Sequence, residues 1–91
     1  MTMLFAVICR DKPGHLQTRL DTRTAHLGYI EQTGIVKMAG PLIEAGEMRG
    51  SLIVLETDNL AAAEAWAAGD PYKAAGLFDS VDVIEWKKVI G

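Results

Sequence analysis

The hydrophobic positions change period several times along the chain, and each change marks an element. Residues 3–9 form an unbroken run of apolar, β-favouring side chains closed by the turn signal Asp11-Lys12-Pro13-Gly14, which predicts a strand and then a loop. From about residue 15 to residue 33, Leu16, Leu20, Leu27 and Ile30 recur at helical spacing, and Gly34 follows as a stop. Residues 35–39 and 51–56 read as two strands of a hairpin, divided by a Gly40-Pro41 break and a longer polar connection over residues 44–49. Asp58 or Asn59 then caps an alanine-rich helix over residues 60–68, which Gly69 closes. After a loop from Asp70 to Phe78, residues 81–86 alternate as a last strand. The order β-α-β-β-α-β predicts an α+β fold of the ferredoxin-like split type with an antiparallel sheet, in one domain over residues 1–91.

Two of these strands are apolar on both sides. The first offers Leu4, Ala6 and Ile8 to one face and Met3, Phe5, Val7 and Cys9 to the other; the third offers Leu52 and Val54 against Ile53 and Leu55. Two helices cover one face of such a sheet, so the other needs a second cover. A second copy of the chain supplies it most economically, giving a homodimer in which two sheets pack as a dimeric α+β barrel. The bland alternative is an open apolar patch, uncommon at this size in a soluble monomer.

Composition narrows the function classes. The chain has 91 residues, 49% of them hydrophobic, and a formal charge of -3, so it lacks the basic surface that nucleic acid requires. Cys9 is the only cysteine, which rules out a disulfide within the chain and suits a reducing, cytoplasmic address. The first apolar run is too short to span a membrane and has no basic segment before it. Paired cysteines, a His-x-x-x-His pattern and carboxylate clusters are absent, so no metal site is expected. No phosphate loop or dinucleotide fingerprint occurs, and no cofactor is expected.

The residues that suggest chemistry lie on the first helix and in the loop before the last strand. Arg19, Arg23 and His26 are spaced four and three apart and share a side of the helix, with Arg23 inside the leucine stripe and Arg19 and His26 along its border. A guanidinium among leucines needs a partner, so Arg23 is expected to pair with an internal acid or a bound anion. Asp70 before Pro71 reads as an N-cap with proline at the first helical position. A capping carboxylate can also orient a histidine, and whether Asp70 meets His26 decides between a structural and a catalytic reading.

These segments together resemble the YciI (YCII-related) family. The resemblance rests on Arg23-x-x-His26-Leu27, Ala39-Gly40-Pro41-Leu42, Gly50-Ser51-Leu52, and Asp70-Pro71-Tyr72 with Ala75-Gly76-Leu77-Phe78, in that order along nearly the whole chain. It implies a dimeric α+β barrel related in fold to muconolactone isomerase, with an active site built around a histidine and an aspartate, here His26 and Asp70. Tyr72 stands where the family often has phenylalanine, which bears on pocket polarity. An imidazole oriented by a carboxylate suits general acid-base work, with Arg19, Arg23, Ser51 and Tyr72 as the substrate-binding set. Lactone isomerisation or elimination from a ring compound fits these groups. A Ser-His-Asp hydrolase fits less well, because Ser51 lacks a nucleophile-elbow context. Two other classes stay open: a non-catalytic dimer that binds a small ligand or a partner, and a haem- or oxygen-handling barrel using His26.

Overall fold

The computed structural model describes residues 2–91. Its elements run β1 (Met3–Asp11), α1 (Leu16–Thr33), β2 (Val36–Glu44), β3 (Glu47–Thr57), α2 (Leu60–Ala68), α3 (Pro71–Ala74) and β4 (Phe78–Trp86). One four-stranded sheet has the order β2-β3-β1-β4, with every pairing antiparallel. This is the ferredoxin-like α+β arrangement expected from the element order. No helix among the described residues is long and apolar enough to cross a membrane.

The hairpin differs from expectation. Strand β2 runs straight through Gly40-Pro41, with Pro41 paired to Ser51. It does so because β2 is an edge strand, where a residue without an N–H leaves no ladder bond unmade. The connection is only Ala45-Gly46, both in the left-handed region at φ 51° and 78°. Two such residues make the primed turn whose twist matches a hairpin, so the strands reach the turn itself. Strand β4 likewise starts at Phe78, three residues earlier than the alternation suggests.

Register separates the two sheet faces. Phe5, Val7 and Cys9 on β1 lie opposite Leu55, Ile53 and Ser51 on β3, and this face is closed by Ala63, Trp66 and Ala67 of α2 to form the core. The other face carries Leu4, Ala6 and Ile8 beside Leu52 and Val54 of β3 and Ile84 and Trp86 of β4, with Met38 added from β2. Of these, Met38, Leu52, Ile84 and Trp86 stand 38% to 56% exposed.

Helix α1 packs with a roll that the leucine periodicity did not predict. Leu20 and Leu27 are nearly half exposed, and the buried residues are Arg19 and His26. The inward stripe runs Arg19, Thr22, His26, Tyr29 and Thr33, a spacing of three and four that any helix presents to a partner, but written in polar residues. Arg23 therefore lies outside the buried stripe. It is exposed and has no ion pair or hydrogen bond among the described residues, which overturns the expectation of an internal acid partner.

Candidate active site

The site is built where the inward face of α1 meets β3 and the loop after α2. Asp70 precedes proline, which restricts it to extended backbone (φ -63°, ψ 127°), and its side chain caps α3 by accepting from the Tyr72 N–H at 2.9 Å. Further bonds fix the far end of the loop: the Leu77 N–H donates to the Tyr72 carbonyl at 3.1 Å and the Lys12 N–H to the Leu77 carbonyl at 2.8 Å. A buried carboxylate is thereby aimed at α1. His26 Nδ1 lies 2.9 Å from the same Oδ1 atom. A carboxylate oxygen accepts, so Nδ1 carries the proton and Nε2 is the nitrogen left for other work.

Arg19 makes the second polar anchor. Its Nε and Nη2 donate to the two oxygens of Asp11 at 2.7 and 2.8 Å, and Nη2 also donates to Ser51 Oγ at 2.9 Å. Burial opposes the charge on Arg19, but the hydrogen bond and charge of Asp11 outweigh it and hold the guanidinium above its ordinary pKa. Because Ser51 accepts from Arg19, its own hydroxyl proton is free to donate.

Tyr72 joins the two anchors. Arg19 and His26 are two helical turns apart, about 10 to 11 Å of rise, and the Tyr72 ring fills that gap. It stacks on the imidazole at 4.0 Å and 18°, and lies 4.8 Å from the Arg19 guanidinium carbon. Burial raises the phenol pKa, Arg19 opposes that, Asp70 adds to it and Arg23 opposes it; the net direction is upward, which keeps the hydroxyl neutral. Beneath the site, burial and then the charge of Asp70 push the Cys9 thiol up to about 12, so it is an inert core residue. No buried side-chain nitrogen or oxygen among the described residues lacks a partner.

Beside these groups opens a pocket of about 290 Å³ between α1 and the β2–β3 hairpin. Arg19, Arg23, His26, Ser51 and Tyr72 line it together with apolar Leu20, Leu27, Ile30, Ala39, Pro41 and Ile53. All the sequence-expected site residues except Asp70 reach this pocket, and Asp70 stands behind His26. The volume lies just below the roughly 300–1,000 Å³ typical of ligand sites, which suits one small ring. A haem does not fit within a cavity of this volume. No group of three or more His, Cys, Asp or Glu residues among those described is arranged to hold a metal.

Residues 3–87 match the YCII-related domain. The chain belongs to the YCII-related family. It is 37% identical over a 97-residue alignment to Protein YciI of Escherichia coli O6:H1, spanning 96% of this chain and 99% of that protein. Among solved structures, 5-chloro-2-hydroxyhydroquinone dehydrochlorinase (TftG) from Burkholderia phenoliruptrix, in complex with 2,5-dihydroxybenzoquinone, is 35% identical. It superposes with a TM-score of 0.87 over 93% of this chain and 94% of that one. A dimeric protein of unknown function with a ferredoxin-like fold from Bacteroides fragilis shares the fold at 15% identity, TM-score 0.58 and 96% coverage of each chain.

Three residues of this YCII-related site escaped the sequence reading. Asp11 was expected only as a turn signal, yet it answers the Arg19 charge. Tyr29 and Thr33 lock α1 to α2: the Tyr29 hydroxyl donates to the Trp66 carbonyl at 2.7 Å, and Trp66 Nε1 donates to Thr33 Oγ1 at 2.8 Å. The usable signal was the polar stripe at spacing three and four that contains Arg19, His26, Tyr29 and Thr33. The Tyr29 lock sits directly against the residue before Asp70, where a Cβ on Gly69 would stand 2.6 Å from the Tyr29 hydroxyl. Gly69→Ala is therefore expected to destabilise the fold by about 1–3 kcal/mol, the usual range for overpacking. Tyr29→Phe removes the obstructing atom, so Gly69→Ala should cost clearly less in that background. Equal costs in the two backgrounds, measured by denaturant unfolding of all four proteins, would show that the close approach is not what excludes a side chain there.

Proposed function

We propose that this protein is an acid-base enzyme of the lyase type that eliminates an anionic leaving group from a small hydroxylated ring compound. The observation that carries the reading is an imidazole held through Nδ1 by a buried carboxylate at the wall of a small pocket. The dehydrochlorinase relative supports the reaction class. In the step proposed, the ring reacts as the keto tautomer in which the carbon bearing the leaving group is saturated. His26 Nε2 takes the proton of a ring hydroxyl conjugated with that carbon, the O–H pair becomes a new C=O, the ring double bond shifts onto that carbon, and the leaving group departs with its own pair. The imidazolium forms opposite the Asp70 carboxylate and then passes its proton to water. Asp70 fixes the tautomer and balances the transient charge. The Ser51 hydroxyl and Arg19 are suited to hold a ring oxygen on which charge develops.

The test uses 5-chloro-2-hydroxyhydroquinone under anaerobic conditions, with chloride release as the readout. The parent protein is expected to release chloride above the buffer rate, and His26→Ala to lower the rate by about 10²- to 10⁴-fold, the usual worth of one positioned proton-transfer group. Release that persists undiminished in His26→Ala overturns the role given to the histidine. No release by the parent overturns the dehydrochlorination reading.

We further propose that the chain works as a cytoplasmic homodimer joined through the sheet face that the helices leave open. The support is the row of half-exposed apolar side chains at Met38, Leu52, Ile84 and Trp86 and the general preference of small oligomers for a self-complementary two-fold interface. Sedimentation equilibrium at micromolar concentration should report about twice the 9.9 kDa chain mass, and Ile84→Asp should shift it towards one. A parent that sediments as a monomer would contradict this assembly.

A further inference from the structure

The pocket has an unbalanced charge. Its ionisable lining residues are Arg19, Arg23, His26 and Tyr72, and no carboxylate lines it. Asp11 answers Arg19, and Asp70 stands behind His26. Tyr72 is neutral. Of the basic lining residues, Arg23 is the one with no ion pair and no hydrogen bond among the described residues, although its charge is felt at the Tyr72 phenol inside the pocket. Leu20 and Leu27, three residues before it and four after, flank it on the same side of α1 and line the same pocket.

A guanidinium in that setting is a recognition group. It is planar, permanently charged and weakly hydrated, and its fork of N–H donors matches two neighbouring oxygens that share a negative charge. The leucines beside it offer a flat ring its apolar contacts. We infer that the ligand of this pocket is an anion, a flat ring bearing a delocalised oxyanion, and that Arg23 is the residue that selects for that charge. The inference rests on the reading of this pocket as the substrate site. The oxyanion could be an enolate of a hydroxyquinone or a carboxylate on a ring, since each offers the fork two neighbouring oxygens: an enolate oxygen beside a carbonyl in the first, and the two equivalent oxygens in the second.

Calorimetric titration with three probes tests it. 2,5-Dihydroxybenzoquinone is ionised near neutral pH, 2,5-dimethoxybenzoquinone is its neutral counterpart, and benzoate carries the charge as a carboxylate. The parent is expected to bind at least one of the two anions about tenfold or more tightly than the neutral ether, with an affinity that weakens as salt is raised. Arg23→Gln should lose that preference and Arg23→Lys should keep part of it, while all three proteins melt together because Arg23 is exposed. Which anion binds identifies the enolate or the carboxylate as the source. Equal binding of the neutral ether and the anions by the parent, or anion binding unchanged in Arg23→Gln, would overturn the inference, as would no binding of either anion. Arg23-dependent anion binding without any turnover would remove the proposed lyase activity and leave this inference standing.

Discussion

Helix α1 buries an arginine and a histidine, and a helix can do so only where each meets a partner before water is lost. That requirement organises the molecule. Asp11 at the end of β1 and Ser51 in the middle of β3 answer Arg19, while Asp70 in the loop after α2 answers His26. Tyr29 and Thr33 tie the next turns of the same stripe to Trp66. Removing one member of a buried ionic pair costs roughly 3 to 5 kcal/mol, because the other is left uncompensated. The polar stripe is therefore far more specific than an apolar one: one roll of the helix satisfies every group, and neighbouring rolls strand at least one charge.

The same satisfaction leaves two reactive atoms with nothing to do inside the protein. Asp70 occupies Nδ1 of His26 and so leaves Nε2; Arg19 occupies the acceptor side of Ser51 and so leaves its proton. Tyr72 keeps the two anchors apart, stacked on one and beside the other. The outward roll of the leucines completes the arrangement, since Leu20 and Leu27 line the pocket in place of the core. Packing that is unusual for a surface helix thus yields a cavity with apolar walls and a small set of polar groups, the composition expected of a small-molecule site.

Element order and type were legible in the sequence because strand and helix periods differ and because Gly34, Gly69 and the Asp70-Pro71 pair mark boundaries by local chemistry. The hairpin departs from its sequence pattern where a local rule meets a tertiary exception. Pro41 breaks a central strand but not an edge strand, and edge position is decided by sheet order. The face of α1 departs from its leucine pattern for a related reason. Hydrophobic periodicity finds the stripe that carries leucines, and here the buried stripe carries Arg19, His26, Tyr29 and Thr33, whose burial depends on partners up to 44 residues away. The family resemblance and the capping chemistry nevertheless single out His26 and Asp70 together in the sequence. Asp11 is not singled out, because nothing local distinguishes a turn aspartate from one that reaches back to a helix.

The arrangement stands or falls on the direction of the His26–Asp70 hydrogen bond. Long-range ¹⁵N–¹H correlation spectra of the histidine side chains report which ring nitrogen carries the proton in the neutral imidazole. The structure predicts Nδ1–H with a bare Nε2 for His26 in the parent, and loss of that fixed tautomer in Asp70→Ala. A parent spectrum showing His26 protonated at Nε2, or one left unchanged by Asp70→Ala, would contradict the view that the aspartate holds the histidine ready as a base.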